Sequence, residues 1–210
     1  MPAHDSRPEM SGPKTQADGA QDKVYLIGFS ATGKSHSGRL AAQELGATFI
    51  DMDRIIARRA GKQISEIFED DGEEEFRRME REVLEEQAEA SGQRVVSTGG
   101  GVPVDARNRE VMARSGLTIR LVASPETIHS RISRSASRRT QRPDRGPAAR
   151  PMLTGSSDED TTVERVRELL AEREGAYAAA ADVAIDTEGR EPPDVAAEIV
   201  ARVLESKSQN

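Results

Sequence analysis

Residues 24–35, VYLIGFSATGKS, join a short apolar run to a glycine-bearing loop. Gly28, Gly33, Lys34 and Ser35 fit the spacing G-x-x-x-x-G-K-[ST] of a phosphate-binding loop. Such a loop turns backbone N–H groups inward around a polyanion, and the positive end of the next helix adds to the same field. Lys34 would reach the β- and γ-phosphates of a nucleotide, and the Ser35 hydroxyl would bind Mg²⁺. The alternative is a glycine-capped turn before a surface helix, but the apolar run before the loop and the helix-compatible segment after it favour a nucleotide site.

Two aspartates follow the next strand candidate. Residues 47–50 form a short strand, and Asp51 and Asp53 lie at its carboxyl end. Ligands of open α/β sheets gather beyond the carboxyl ends of the strands, so a D-x-D at this place is well positioned for chemistry. The same two residues could instead form an Asx turn that caps the next helix.

A longer helix is predicted at residues 73–90, and it carries an arginine and a glutamate three residues apart. Because of that spacing, Arg77 and Glu80 share one face beside the apolar stripe of the helix. By themselves they are typical of a solvated ion pair.

Three consecutive glycines, Gly99 to Gly101, follow a strand candidate at residues 94–98. With no side chain in the way, their backbone can approach another group closely. A tight strand-to-helix turn is the other interpretation, and these residues alone do not decide between the two.

Strands alternate with helices along the chain, which predicts a three-layer α/β/α fold around a five-stranded, doubly wound parallel sheet. The strands are predicted at 24–27, 47–50, 94–98, 117–122 and 182–186. The helices are predicted at 37–45, 55–59, 64–69, 73–90, 124–134, 162–180 and 194–204. The last of these helices should pack its apolar side, with Val195, Ile199, Val200 and Val203, against the sheet.

The remaining segments predict one domain with two tails. Residues 1–22 lack apolar periodicity and are expected to be disordered, residues 23–205 to form the single domain, and residues 206–210 to fray. Residues 135–157 are rich in Arg, Pro, Gly and Ser and too polar to pack as core. Next to a phosphate site, such a segment suggests a mobile lid that closes over the nucleotide and excludes water. Nucleic-acid contact is the rival interpretation.

The composition narrows the classes of partner. The formal net charge of -7 argues against a chain whose main task is to coat nucleic acid or an anionic membrane. An aromatic content of 3% without tryptophan leaves few platforms for base stacking. No apolar stretch approaches the ~20 residues that span a bilayer, and the absence of cysteine excludes disulfides and thiol catalysis. We expect a cytoplasmic monomer that binds neither nucleic acid nor membrane.

Taken together, the motifs resemble the shikimate kinase family over about residues 23–204. The segments that carry the resemblance are GFSATGKS, FIDMDRIIARRAGKQISEIFEDDGEEEFRRMEREVL, VVSTGGGVP, ARPML, REGAY and DTEGREPP. Their joint presence in this order is far more specific than the phosphate loop alone. The resemblance implies a P-loop kinase fold and ATP-dependent phosphorylation of the 3-hydroxyl of shikimate, with ATP and Mg²⁺ required.

The resemblance also implies roles for the charged residues. Asp53 would contact the hydroxyls of shikimate and serve as the base for the attacking hydroxyl, whereas Asp51 would lie near Mg²⁺, which Ser35 also binds. Arg77 and Arg173 would grip the substrate carboxylate, an anionic group that an arginine fork matches well.

Further residues would complete the acceptor pocket by the same resemblance. Glu80 would hold in place the side of the pocket that carries the substrate-binding arginines. Backbone N–H groups at Gly99, Gly100 and Gly101 would face a ring hydroxyl of the substrate. Two phenylalanines would line its ring, and these are Phe68 and Phe76.

On the nucleotide side, Arg150 of the ARPML segment matches the lid arginine that reaches the transferred phosphate, so its role would be electrostatic. Arg138 or Arg139 could pack on the adenine, and Arg190 with Pro192 could flank it. The implied catalytic residues are Lys34, Asp53 and Arg150. The implied nucleotide-binding residues are Gly28, Ala31, Thr32, Gly33, Lys34, Ser35, His36, Arg150 and Arg190.

The chain departs from the family pattern at a few positions. Ala31 stands where the family usually has another loop glycine, so we expect it to keep a negative φ, which its Cβ requires. His36 replaces the common threonine after the loop serine and loses a hydroxyl that could touch a phosphate. Gly175 and Ala176 replace a Pro-Leu pair before Tyr177.

Three other functions compete with this interpretation. A related kinase could act on another hydroxy acid such as gluconate, but it would not need the D-x-D, F-R-x-x-E and G-G-G set together. A nucleotide-binding protein without catalysis would have lost Lys34, Asp53 or the lid arginine, and none is lost. An RNA-binding module would show strongly salt-dependent retention on polyanions and no ADP release.

Overall fold

A parallel sheet forms the centre of the computed structural model, which describes residues 22–140 and 162–208. Its five strands in these ranges are β1 Lys23–Ile27, β2 Thr48–Asp51, β3 Arg94–Ser97, β4 Gly116–Val122 and β5 Val183–Asp186. Their order across the sheet is β2-β3-β1-β4-β5, and each neighbouring pair is parallel. The predicted five-stranded parallel sheet is confirmed.

Helices follow the strands in alternation. Those in the described ranges are α1 Lys34–Glu44, α2 Met52–Ala60, α3 Ile64–Asp70, α4 Gly72–Glu89, α5 Ala106–Ser115, α6 Pro125–Thr140, α7 Val163–Ala180 and α8 Pro192–Ser208. A short 3-10 helix, Val102–Val104, connects the turn after β3 to α5. None of these helices combines the length and the apolar character needed to cross a membrane.

The central strand β1 shows why the fold has three layers. All five of its residues are buried. Val24 and Leu26 join a core cluster with residues of α1 and α8, whereas Tyr25 and Ile27 join a second cluster with residues of α2, α3, α4, α5 and α7. Successive strand residues point to opposite faces, so β1 anchors helices on both sides of the sheet. The predicted apolar side of α8 is buried in the first cluster.

The turns that carry the predicted chemistry meet at one edge of the sheet. Strand β3 lies between β2 and β1, and its last residue, Ser97, is paired with Asp51 of β2 and Leu26 of β1. The carboxyl ends of these three strands are therefore level with one another. The phosphate loop, the D-x-D pair and the triple-glycine turn leave the sheet side by side.

Several helix boundaries differ from the prediction. Helix α5 was not predicted, because charged residues interrupt its short apolar signal; Val111 and Met112 are buried, and the Asp105 side chain caps its first turn through the Arg107 N–H. Helix α6 continues to Thr140, into the range predicted as lid. Helix α8 continues to Ser208, where fraying was expected.

Parts of three predicted segments lie outside the described residues, and one of them is residues 209–210 of the C-terminal tail. The other two are residues 1–21 of the N-terminal tail and residues 141–157 of the lid, which include Arg150. The side chains of Arg138 and Arg139, in the last turn of α6, are also outside the description.

Gly116 should be intolerant of any side chain. It opens β4 opposite Lys23 of β1, and a Cβ at Gly116 would lie 2.0 Å from the Lys23 carbonyl oxygen. Because backbone must move to make room, Gly116→Ala should lower the free energy of unfolding by about 1–3 kcal/mol. Urea denaturation followed by circular dichroism measures this loss.

Gly175→Ala is the matched control. Gly175 lies inside α7, and a Cβ there would meet no atom within 4 Å. This substitution should raise the free energy of unfolding by about 0.5–1 kcal/mol, since alanine is the better helix former. Equal stability of the two variants would contradict the close pairing of β1 and β4.

Candidate active site

The phosphate loop wraps around the ammonium group of Lys34. Gly28 and Gly33 have φ angles of 134° and 98°, in the region that glycine adopts without strain. The Lys34 Nζ donates hydrogen bonds of 2.8 Å to the carbonyl oxygens of Gly28 and Phe29. Helix α1 begins at Lys34, three residues earlier than predicted, so its N-terminal N–H groups face the loop. This arrangement suits a polyanion.

Ala31 has the opposite backbone conformation from the one expected. Its φ is 62°, so the expectation of a negative φ is wrong. The loop turns sharply here, because both the N–H and the Oγ1 of Thr32 bond back to the carbonyl oxygen of Phe29. A left-handed residue with a Cβ costs about 1–2 kcal/mol. Ala31 also packs against an apolar cluster that contains Phe29 and Ile128, which links the loop to α6.

Three side chains with oxygen atoms that could hold a divalent cation lie close together beside the loop. The hydroxyls of Ser35 and Ser97 are 3.1 Å apart, and Asp51 is the register partner of Ser97. Asp51 also caps α2 by accepting from the Arg54 N–H at 3.3 Å, so the capping interpretation of this aspartate is confirmed. Within the described ranges, no group of three or more His, Cys, Asp or Glu side chains could hold a metal ion. A hydroxyl with one carboxylate fits Mg²⁺ that shares its coordination with phosphates.

Arg77 and Glu80 form an ion pair whose carboxylate is buried and whose guanidinium is partly exposed. The Arg77 Nη1 donates to the Glu80 Oε2 at 2.7 Å, and the Glu80 side chain is only 1% exposed. The interpretation as a solvated pair is therefore wrong. Burial raises the pKa of Glu80 to about 7, against the opposing attraction of Arg77. The second carboxyl oxygen of Glu80 is buried and has no hydrogen-bond partner in the described part of the chain.

The triple-glycine turn touches both members of this pair. A Cβ at Gly99 would lie 2.7 Å from the Glu80 Oε1 and 3.1 Å from the Asp53 Oδ1. A Cβ at Gly101 would lie 2.6 Å from the Arg77 Nη1. The close-approach interpretation of the glycines is confirmed, because a side chain at either position would displace a charged group.

A second arginine stands on the other side of the turn. Arg173 of α7 is 8% exposed, and its guanidinium carbon lies 5.5 Å from the centre of the Phe29 ring. A Cβ at Gly100 would lie 3.8 Å from the Arg173 Nη1. Two guanidinium groups, those of Arg77 and Arg173, therefore flank the same turn.

The two predicted ring-lining phenylalanines support Arg77. The Phe68 and Phe76 ring centres are 4.7 Å apart, and the Arg77 guanidinium carbon lies 5.3 Å from the centre of the Phe76 ring. Phe76 is 5% exposed and belongs to the core cluster beneath the site. The Arg77 guanidinium therefore packs on an aromatic pair that is anchored in the core.

A pocket of about 470 Å³ adjoins the phosphate loop. The predicted residues that line it are Ala31, Thr32, Gly33, His36, Arg190 and Pro192. The Arg190 guanidinium bonds to Glu198 at 2.5 Å and to the Asp186 carbonyl at 3.0 Å, so it also ties α8 to the end of β5.

Sequence reasoning missed Arg131 in this pocket. Arg131 of α6 donates to the Thr187 carbonyl at 2.7 Å and to the Ala31 carbonyl at 3.4 Å. It thereby joins the phosphate loop to the segment after β5. The sequence carries a signal for this position. Arg131 lies three residues after the apolar Ile128, so the helix predicted at residues 124–134 places both residues on one face.

A family model described as shikimate kinase matches residues 30–204 of the chain. The chain belongs to the shikimate kinase family. The shikimate kinase of Geobacter sulfurreducens is 42% identical over 87% of this chain and 91% of its own length. That of Symbiobacterium thermophilum is 38% identical over 87% of this chain and 96% of its own. The solved shikimate kinase from Acinetobacter baumannii in complex with shikimate superimposes with a TM-score of 0.76, at 31% identity, covering 90% of this chain and 96% of that one.

The candidate residues from distant parts of the chain come together at one sheet edge. The residues that meet there are Lys34, Ser35, Asp51, Asp53, Arg77, Gly99, Gly100, Gly101 and Arg173. Arg150 lies outside the described residues, so its predicted place in the site stays a prediction.

Glu80→Gln should remove a pH dependence of stability. Because the pKa of Glu80 rises from 4.5 to about 7 on folding, the folded protein binds more protons than the unfolded chain between these values. This carboxyl's contribution to the free energy of unfolding therefore falls as the pH rises from about 4.5 to about 7. The full change is up to about 3 kcal/mol, at about 1.4 kcal/mol per pKa unit. Urea titrations at about pH 5 and about pH 8 measure it.

Glu86→Gln is the control for this experiment. Glu86 of the same helix forms an exposed ion pair with Arg59, which lowers its pKa. Its amide variant should keep the fall in stability between the two pH values. A fall of the same size in Glu80→Gln would contradict the burial of the Glu80 carboxyl.

Ala31→Gly should stabilise the protein. It removes the left-handed strain of alanine, while the freer unfolded chain of glycine offsets part of the gain. We expect about 0.5–1 kcal/mol and a Tm higher by a few degrees, measured by thermal unfolding. Ala42→Gly, at a buried helical position of α1, should lower the Tm instead. A lower Tm for both variants would mean that packing of the Ala31 methyl group outweighs its strain.

Proposed function

We propose that this chain transfers the γ-phosphoryl group of ATP to the 3-hydroxyl of shikimate. The observation that carries the proposal is the contact between the phosphate loop and the triple-glycine turn. A Cβ at Gly100 would lie 3.6 Å from the Gly28 carbonyl oxygen and 3.7 Å from the Ser30 nitrogen. A polyphosphate site and a carboxylate-binding site therefore open onto one cleft, as direct in-line transfer requires.

The nucleotide side combines the phosphate loop with the adjoining pocket. Loop N–H groups and Lys34 would bind the β- and γ-phosphates, and the pocket beside Arg131 has room for the base of the nucleotide. Phosphates would take Lys34 away from the loop carbonyls to which it now donates. With Ser35 and Asp51 holding it, Mg²⁺ would neutralise charge on the β- and γ-phosphate oxygens.

The acceptor side matches a small acid with several hydroxyls. Arg77 and Arg173 would bind its carboxylate from two sides, since guanidinium groups match carboxylates by geometry and charge. The buried Glu80 keeps the Arg77 fork at a fixed position, and the Arg77 fork packs on Gly101. Asp53, beside Gly99, would accept hydrogen bonds from the ring hydroxyls.

Phosphoryl transfer then needs mainly positioning and charge stabilisation. The 3-hydroxyl oxygen forms the new bond to the γ-phosphorus, and the bond from that phosphorus to the β–γ bridging oxygen breaks to release ADP. The hydroxyl proton passes to Asp53. Lys34 and Arg150 would stabilise the charge on the transferred group, and Asp53 would contribute a smaller share. We propose a monomer as the active unit, since the described residues of one chain supply groups for both substrates.

A coupled assay of ADP release tests the proposal. Shikimate should support turnover, whereas quinate and gluconate should support far less. Lys34→Ala should reduce turnover by at least about 100-fold, because it removes a cation that stabilises the transferred charge. Equal rates with all three acceptors would remove the substrate assignment, and absence of ADP release with every acceptor would remove the kinase assignment.

Arg77→Lys should affect the KM for shikimate and not the KM for ATP. It keeps a positive charge beside the buried Glu80 but loses the planar fork. We expect the KM for shikimate to rise by about 10- to 100-fold and the KM for ATP to stay unchanged.

Arg78→Lys is the matched control for this variant. Arg78 is the next residue of α4, and its side chain is half-exposed in ion pairs with Glu75 and Glu82. It should leave both KM values unchanged. A rise in the KM for ATP in Arg77→Lys would place this arginine outside the acceptor site.

A further inference from the structure

We propose that Tyr177 is a positioning residue of the acceptor site, which holds the peptide between Gly100 and Gly101 so that the Gly101 N–H faces the substrate. The inference rests on the proposed function, because it takes the triple-glycine turn to be the part of the acceptor site that contacts a ring hydroxyl. Tyr177 acts through the turn and does not contact the reacting atoms.

The turn is a β-turn whose central peptide is made of two glycines. The Val102 N–H donates to the Gly99 carbonyl at 3.2 Å, which makes Gly100 and Gly101 the two central residues. Gly101 has φ -97° and ψ -12°, close to the values for the third residue of a type I turn. A half-rotation of the central peptide would give a type II turn, in which this residue has φ near about +80°. Glycine adopts both conformations readily, so the backbone alone does not select one.

Tyr177 selects one of these two orientations of the Gly100–Gly101 peptide. Its hydroxyl donates to the Gly100 carbonyl oxygen at 2.7 Å. The peptide unit is planar and trans, so the Gly100 C=O and the Gly101 N–H point in opposite directions within one plane. By holding the carbonyl, Tyr177 aims the N–H away from itself. A rotated peptide would present an acceptor where the substrate hydroxyl meets a donor.

The Gly101 N–H is a donor without an acceptor in the described part of the chain. Gly101 is buried, and no acceptor for its N–H occurs among residues 22–140 and 162–208. Buried N–H groups without a protein partner are rare in folded proteins, and a ligand or an ordered water satisfies them. The Arg77 guanidinium packs directly on Gly101, so this donor lies next to the group assigned to the substrate carboxylate.

Tyr177 is itself held on several sides. It is fully buried, and the Arg120 guanidinium carbon lies 5.0 Å from its ring centre. Arg120 in turn makes two hydrogen bonds to Glu174, of 2.7 and 2.6 Å. Burial raises the pKa of the Tyr177 hydroxyl, although the neighbouring Arg173 opposes the rise, so the hydroxyl stays protonated and can donate. A tyrosine fixed this firmly can hold one orientation of a glycine peptide.

The kinetic test removes one hydroxyl. Tyr177→Phe keeps the ring beneath Arg120 but leaves the Gly100 carbonyl without its donor. We expect the KM for shikimate to rise by about 3- to 10-fold, the amount that one hydrogen bond supplies, with the KM for ATP unchanged. A KM for shikimate equal to that of the wild type would overturn the inference.

Tyr25→Phe is the matched control, because Tyr25 and Tyr177 are the two tyrosines of the chain. Tyr25 is equally buried, and its hydroxyl shares a hydrogen bond of 2.7 Å with Ser115, away from the turn. Both variants lose one buried hydrogen bond and should lose similar stability. Only Tyr177→Phe should raise the KM for shikimate; an equal rise in both would assign the effect to general loosening and overturn the inference.

Fluorescence gives an independent readout. The chain has no tryptophan, so in Tyr25→Phe the tyrosine emission comes from Tyr177 alone. Shikimate bound to the Gly101 N–H should strengthen the Tyr177 hydrogen bond across the same peptide and change this emission, whereas the emission of Tyr177→Phe should not change. An unchanged emission in Tyr25→Phe at saturating shikimate would overturn the inference. Failure of wild-type ADP release would instead overturn the proposed function, so the two failures are distinguishable.

Discussion

The absence of side chains in the triple-glycine turn is the constraint on which the rest of the site depends. Strand β3 lies between β1 and β2. The turn at its carboxyl end therefore lies between the phosphate loop, which follows β1, and the helices that follow β2. A Cβ at Gly99 or Gly101 would overlap a carboxyl or a guanidinium group, whereas Gly100 lies at ordinary contact distance from the phosphate loop. Bare backbone at Gly99 and Gly101 therefore lets the turn lie between the phosphate loop and the Arg77–Glu80 pair.

Local cation placement explains how an acidic chain can bind two anionic substrates. The chain carries a formal net charge of -7, yet three cations of the described residues lie at the cleft. Each is held by a specific partner: Lys34 by loop carbonyls, Arg77 by the buried Glu80, and Arg173 against the ring of Phe29. Because these partners orient the cations before a substrate arrives, little reorganisation is needed at the moment of transfer.

Several residues of the site have a strained backbone or a buried polar group without a partner. Ala31 adopts a left-handed conformation despite its Cβ, the Glu80 carboxyl is buried with one oxygen unpaired, and the Gly101 N–H lacks an acceptor in the described chain. Features of this kind cost stability and persist where the surrounding structure holds them in place. Their position within one cleft of a shikimate kinase family member is consistent with a role in binding and transfer.

The sequence by itself determined the phosphate loop, the alternation of strands and helices, and the family, because glycine spacing and apolar periodicity are local properties that need no knowledge of neighbours. Tertiary structure alone decided the sign of φ at Ala31, the burial of the carboxylate in the Arg77–Glu80 pair, the place of Arg131 in the nucleotide pocket and the existence of α5. Each of these depends on which groups from distant parts of the chain pack together. A periodic pattern describes one segment at a time, whereas burial and backbone strain are set by contacts between segments.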